Sequence, residues 1–147
     1  MSRMNELEIV EIAADADRGA AFAIRRAVFC VEQGVDAAEE FDGRDPESRL
    51  YLARHAGRPV GTARLRATGP AEAKIERVAV LAPERRKHIG RALMRRTMAD
   101  ARAAGVRRIV IHAQCHAEAF YEALDFVRVG GVFEEAGIAH VRMECVV

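Results

Sequence analysis

The stretch EAKIERVAVLAPERRKHIGRALMRRTMADARAAGVRRIVIHA, residues 72–113, decides the fold. Residues Glu72 to Leu81 read as a strand, Pro83 breaks it, and a helical pattern runs from about Ile89 to Ala104. Gly105 stands where a helix closes with a left-handed residue. Arg107 to Ala113 then forms a short, nearly continuous apolar run, as expected of an interior strand paired in parallel. Strand, helix and strand make one βαβ unit.

The flanking sequence extends this unit into a sheet. Upstream, LEIVEI (7–12) alternates as a half-exposed strand does, and Asp15 or Asp17 is placed to cap a helix through AAFAIRRAVFCVEQ that ends at Gly34. The acidic stretch from Asp36 to Pro46 reads as a surface loop or irregular helix. Leu50 to His55 and Pro59 to Arg66, joined at Ala56, Gly57 and Arg58, make a β-hairpin. Downstream come a short helix from Ala117 to Leu124 and two strands, Phe126 to Phe133 and Ile138 to Val146. The order implies an α/β domain, a mixed sheet flanked by helices, with no repeat, linker or low-complexity segment between residues 1 and 147.

Composition narrows the class. A 147-residue chain that is 50% hydrophobic needs no disulfide or metal staple, because a domain of this size buries roughly 68–70% of its unfolded surface. With 23 Lys and Arg against 22 Asp and Glu the net charge is +1, so no global field draws nucleic acid or anionic lipid. Six Phe, two Tyr and no Trp provide little for base stacking. Cys30, Cys115 and Cys145 are odd in number and form no C-x-x-C pair, which points to a reducing, cytoplasmic setting. Acidic residues stand near the N-terminus where a signal peptide needs an apolar run, and no apolar run approaches the ~20 residues of a membrane span.

Within LAPERRKHIGRALM (81–94), Arg85, Arg86, Lys87 and His88 collect at a helix start. A helix N-terminus already carries about half a positive charge, so cations there are unfavourable unless an anion joins them. The alternative is a solvated basic turn paired with nearby carboxylates. Neither G-x-x-x-x-G-K-[ST] nor G-x-G-x-x-G is present, which removes support for nucleotide hydrolysis and hydride transfer. The segment resembles [RQ]-x-x-G-x-[GA], the pyrophosphate motif of the GNAT acyltransferase superfamily, with His88 where the family has its first Gly. AVFCVEQGVD, GTARLR, ERVAVLAPERRKHIGRALM, IHAQCHAEAFYEALDF and VFEEAGIAHVRM extend the resemblance over nearly the whole chain, most closely to the ElaA-like branch. The resemblance implies acetyl-CoA as acyl donor. Val78, Ala79 and Val80 would present backbone to its pantetheine arm, and Arg85, Arg86, Lys87, His88, Ile89, Gly90 and Arg91 would hold its pyrophosphate.

Acetyl transfer to an amine needs the amine neutral, and an alkyl amine of pKa ~10.4 is only about 0.04% neutral at pH 7. Glu76 is the expected base. On a regular strand it shares a face with Val78 and Val80, where burial would raise its pKa; the alternative is an ordinary strand carboxylate paired with Arg64 or Arg77. A bulge, usual in the family, would change that facing. Tyr121 in AFYEALDF resembles the tyrosine of the family's F-Y-x-x-x-G-F segment and is the expected acid toward the departing thiolate, with Asp125 replacing the usual Gly. Phe120 and Leu124, at i and i+4, read as the core stripe that leaves Tyr121 facing a cleft.

His112, Cys115 and His116 in HAQCH lack further ligands at metal spacing, and Cys115 reads as a helix-start residue before it reads as a nucleophile. No metal is expected. His112, Gln114 and His140, with Glu32 and Gln33, are expected to line the acceptor pocket, and the acidic 36–45 stretch either draws a cationic amine or is simply solvated. The expectation is therefore an acetyl-CoA-dependent N-acetyltransferase acting by direct transfer on a small-molecule or peptide amine. Nucleic acid and membrane are not expected partners, and a homodimer is left open. The alternative is a non-catalytic CoA-binding regulatory domain.

Overall fold

The computed structural model describes residues 6–147, so the first five residues of the expected 1–147 domain lie outside it. Seven strands form one mixed sheet in the order β1-β2-β3-β4-β5-β7-β6. They are β1 (Leu7–Glu11), β2 (Arg49–His55), β3 (Arg58–Gly69), β4 (Glu72–Val80), β5 (Arg108–Gln114), β6 (Val127–Glu135) and β7 (Ile138–Val146). Among the described residues only β4 and β5 pair in parallel, across helix α3 (Ile89–Ala103), as the strand–helix–strand reading requires. Among the described residues no helix is long and apolar enough to cross a membrane.

Each face of the sheet has its own apolar cluster. Ile89, Leu93, Met94 and Ala101 of α3 pack on Ala63, Leu65, Ile75, Ile109, Ile111, Val141 and Met143. On the other face Ala21, Ile24 and Val28 pack on Leu52 and Ala79. Gly61 sets how closely α3 approaches: a Cβ there would lie 3.0 Å from Leu93 Cδ1, 3.1 Å from the Ala79 carbonyl oxygen and 3.3 Å from Ile89 Cγ2.

Three expectations change. Asp15 and Asp17 do not cap helix α1 (Asp15–Arg25); Ala14 occupies the cap position and both carboxylates sit in the first turn, where the helix dipole favours them. The helix then widens into π geometry over Arg26–Glu32, which carries Glu32 to the cleft described below. The 36–46 stretch contains helix α2 (Ala37–Glu40) and a 3₁₀ turn, Asp45–Glu47, and it is not simply solvated. Glu40 is buried, and Glu40, Asp42 and Asp45 bind Arg25, Arg64 and Arg77. Those three charges are taken up inside the fold, while Asp36 and Glu39 stay exposed and Glu39 lines the cleft described below.

Candidate functional site

The site begins where two strands part. β4 and β5 are paired only from Glu72–Lys74 to Arg108–Val110; beyond this they diverge and open a cleft of about 940 Å³. β3 still pairs with Val80 and Ala79 through Gly61 and Thr62, so the β5-facing edge of this segment lacks a strand partner. An exposed edge of this kind offers backbone hydrogen bonds to an extended ligand.

A bulge resets the facing of β4. Thr62 pairs with Ala79 and Arg64 with Glu76, so Ala63 alone spans Arg77 and Val78, and Arg77 takes φ +57°. Ala73 and Ile75 face the α3 cluster before the bulge, Val78 and Val80 after it, while Ala79 faces the α1 cluster. Glu76 is thereby separated from Val78 and Val80, against the expectation for a regular strand. Its Oε2 accepts from Arg64 Nη2 at 2.9 Å and its Oε1 from Arg66 Nε at 2.7 Å. Burial raises its pKa, but the two guanidiniums outweigh burial and hold it below the usual carboxylate range, opposite to the shift expected of a base near neutrality.

Tyr121 reaches the cleft from helix α4 (Glu118–Glu122). The inward side chains of that turn are Tyr121 and Leu124, whereas Phe120 is 37% exposed and sits 3.4 Å from a Cβ built at Gly90. The expected Phe120–Leu124 stripe is therefore rotated. Phe126 meets the Tyr121 ring edge-on at 6.0 Å, and burial pushes the hydroxyl pKa up to about 12, so it stays protonated at neutral pH. Among the described residues that hydroxyl has no hydrogen-bond partner.

The basic turn is divided by its pairing. Arg85 Nη1 and Nη2 clasp Glu32 at 2.5 and 2.7 Å, and its Nε donates to the Val80 carbonyl at 2.9 Å. Lys87 binds Glu84 at 2.8 Å. Arg86 and Arg91 have no ion-pair partner among the described residues. Arg86 and His88 both take left-handed backbone, φ +66° and +62°, and His88 stands before α3 without capping it. The buried Ile89 side chain belongs to the core, leaving only its backbone for a ligand. Glu32, expected to line the acceptor pocket, lines the cleft and carries this pairing with Arg85.

The remaining predicted residues converge on the cleft wall. Gln33 and Gln114 exchange amide hydrogen bonds across it at 2.8 and 3.4 Å, and His116 adds 2.8 Å to Gln114. His112 Nδ1 lies 3.0 Å from Glu135 Oε1 and 3.2 Å from Lys74 Nζ. His140 shares the polar face of β7 with Arg142 and Glu144 but is buried, stacked on Phe133. Sequence reasoning missed Arg66, Lys74 and Glu135. Lys74 was legible two residues from Glu76 on one strand face, but Glu135 reaches His112 only through the β6–β7 hairpin. Among the described residues no group of three His, Cys, Asp or Glu side chains is arranged to hold a metal.

Comparison with known proteins accords with this geometry. The acetyltransferase (GNAT) domain model matches residues 12–147. Bacillus subtilis YyaT is 35% identical over 140 residues, covering 93% of this chain and 94% of that protein. The crystal structure of Escherichia coli ElaA superposes with a TM-score of 0.82 at 27% identity, over 95% of this chain and 97% of ElaA. An acyl-CoA N-acyltransferase from Pseudomonas aeruginosa gives 0.83 at 26% identity, over 95% and 99%. With strand order, splayed cleft and matched sequence in agreement, the chain belongs to the GNAT acetyltransferase family.

Proposed function

We propose that residues 1–147 form one domain that transfers an acetyl group from acetyl-CoA directly to an amine acceptor. The observation that carries this reading is a protonated, unpartnered tyrosine hydroxyl in a cleft whose opposite wall is a free strand edge. The free edge at Val78–Val80 suits the amides of a pantetheine arm. The first-turn N–H groups of α3, with Arg86 and Arg91, suit a pyrophosphate. Arg85 and Lys87 join them by exchanging carboxylate partners. The bound donor supplies the activated thioester; Tyr121 gives its proton to the departing sulfur, which restores a neutral thiol.

Glu76, tied to two arginines, is a better positioning residue than base. His112 takes the acceptor proton in this scheme. Glu135 accepts from its Nδ1–H and fixes the tautomer, and Nε2, unpartnered among the described residues, is left for the amine. The test is acceptor-dependent release of free CoA thiol from acetyl-CoA across an amine panel, with the acetylated product identified by mass. Binding of acetyl-CoA without any acceptor-dependent release would favour the non-catalytic CoA-binding alternative.

A further inference from the structure

Resting on that acetyltransferase reading, we propose that the closed end of the cleft is a subsite for an anionic group, built from the Arg66 guanidinium and the Lys74 ammonium. The acceptor is then an amine that also carries a carboxylate or phosphate. Arg66 and Lys74 are direct register partners on neighbouring antiparallel strands, and both line the cleft. Like charges directly opposite one another destabilise a sheet unless something lies between them.

Other arginines in and behind this wall show what the chain does when a charge is structural. Arg25 meets Glu40 at 2.9 Å, Arg64 meets Asp42 at 2.9 Å, Arg77 meets Glu40 at 3.1 Å and Arg85 meets Glu32 at 2.5 Å. Lys74 has no carboxylate within salt-bridge distance among the described residues; its one contact is the imidazole of His112. Arg66 uses only Nε, on Glu76, and both Nη groups lack partners among the described residues although its side chain is 16% exposed. Glu135, a further carboxylate of the cleft, is drawn to His112 at 3.0 Å and to His140 at 3.8 Å.

A half-buried ammonium without a directly paired anion is unfavourable, and burial pushes the Lys74 pKa down against the pull of Glu76 and Glu135. An incoming carboxylate or phosphate reverses that cost and finds two Nη groups and the ammonium hydrogens, which His112 does not accept while its Nδ1–H serves Glu135. The placement also suits transfer. Lys74 precedes Val78 by four residues, roughly 13 Å of extended strand, so an acceptor held by its anionic end spans toward the donor edge with His112 alongside.

The test uses the full chain with inorganic phosphate and acetate as probes at constant ionic strength. Saturable NMR shifts at the His112 imidazole and the Lys74 amide are expected. Arg66→Gln with Lys74→Gln should weaken them about tenfold or more, the scale of one lost charge-assisted hydrogen bond. Arg66→Lys, which keeps the charge, should retain most of the response and controls for a folding defect. Steady-state rates for tyramine against tyrosine, and ethanolamine against O-phosphoethanolamine, then tell carboxylate from phosphate. No saturable shift in the unmodified chain, or an equal shift in the double variant, overturns the subsite. Acetyl-CoA binding measured on the same samples separates this failure from failure of the acetyltransferase reading.

Discussion

Replacing Arg64 by Met should destabilise the protein through charges it leaves behind. Arg64 is fully buried and reaches Asp42 at 2.9 Å, Asp45 at 3.2 Å and Glu76 at 2.9 Å, joining the 36–46 segment to β3 and β4. Methionine fills similar volume without the charge, so three carboxylates face one another with only Arg25, Arg66 and Arg77 as partial neutralisers. Breaking a buried ion pair by removing one partner costs about 3–5 kcal/mol. At about 2–4 °C per kcal/mol for a chain of this length, Tm should fall by about 6 to 20 °C. The pH dependence is diagnostic. In the variant these carboxyls lose their cation, their folded-state pKa values rise, and the folded variant then binds more protons than the unfolded chain, so its stability falls as pH rises. Circular-dichroism melts at pH 5 and pH 8 should therefore show the larger deficit at pH 8. A Tm loss below about 2 °C, or one equal at both pH values, would refute the claim that these charges are held by Arg64.

Three further outcomes are expected. Tyr121→Phe should lower kcat by about 10² or more while leaving acetyl-CoA affinity intact, measured by thiol release and calorimetry; unchanged turnover removes Tyr121 from proton donation. Gly61→Ala should cost about 1–3 kcal/mol in urea unfolding, because the new methyl meets a backbone oxygen of β4 and two core side chains of α3; a neutral change would mean that the helix seat can relax. Asp42 is held low by the Arg64 hydrogen bond, and Glu76 by coulombic pairing with Arg64 and bonds to Arg66 and Arg64 against burial. Their stabilisation is present above the unfolded pKa of about 4 and lost as pH falls through the folded values; Glu40, raised by burial, works in the opposite sense. Unfolding on acid titration should begin below about pH 4, and an onset above pH 5 would contradict this balance.

Much of the framework was legible because it is local. Alternation at 7–12, apolar periodicity at 89–104 and the apolar run at 107–113 each fix an element within one stretch, and the parallel pairing of β4 with β5 follows from their order. The cleft residues Gln33, Gln114, His112 and Tyr121 were found through their segments. The facing of Glu76 was not, because a single inserted residue at Arg77 inverts the side-chain alternation beyond it and no periodicity over so few residues reports it.

Charge shows the same division. The sequence alone determined that a near-zero net charge conceals an acidic stretch at 36–45 and a basic turn at 85–91. Tertiary structure decided which of those charges are available. It binds Asp42 to Arg64 and Glu32 to Arg85, partners 22 and 53 residues apart, and leaves Lys74 and both Nη groups of Arg66 without a carboxylate partner among the described residues. Ionic pairing depends on distance in space, set here by strand register and helix packing, and composition contains neither.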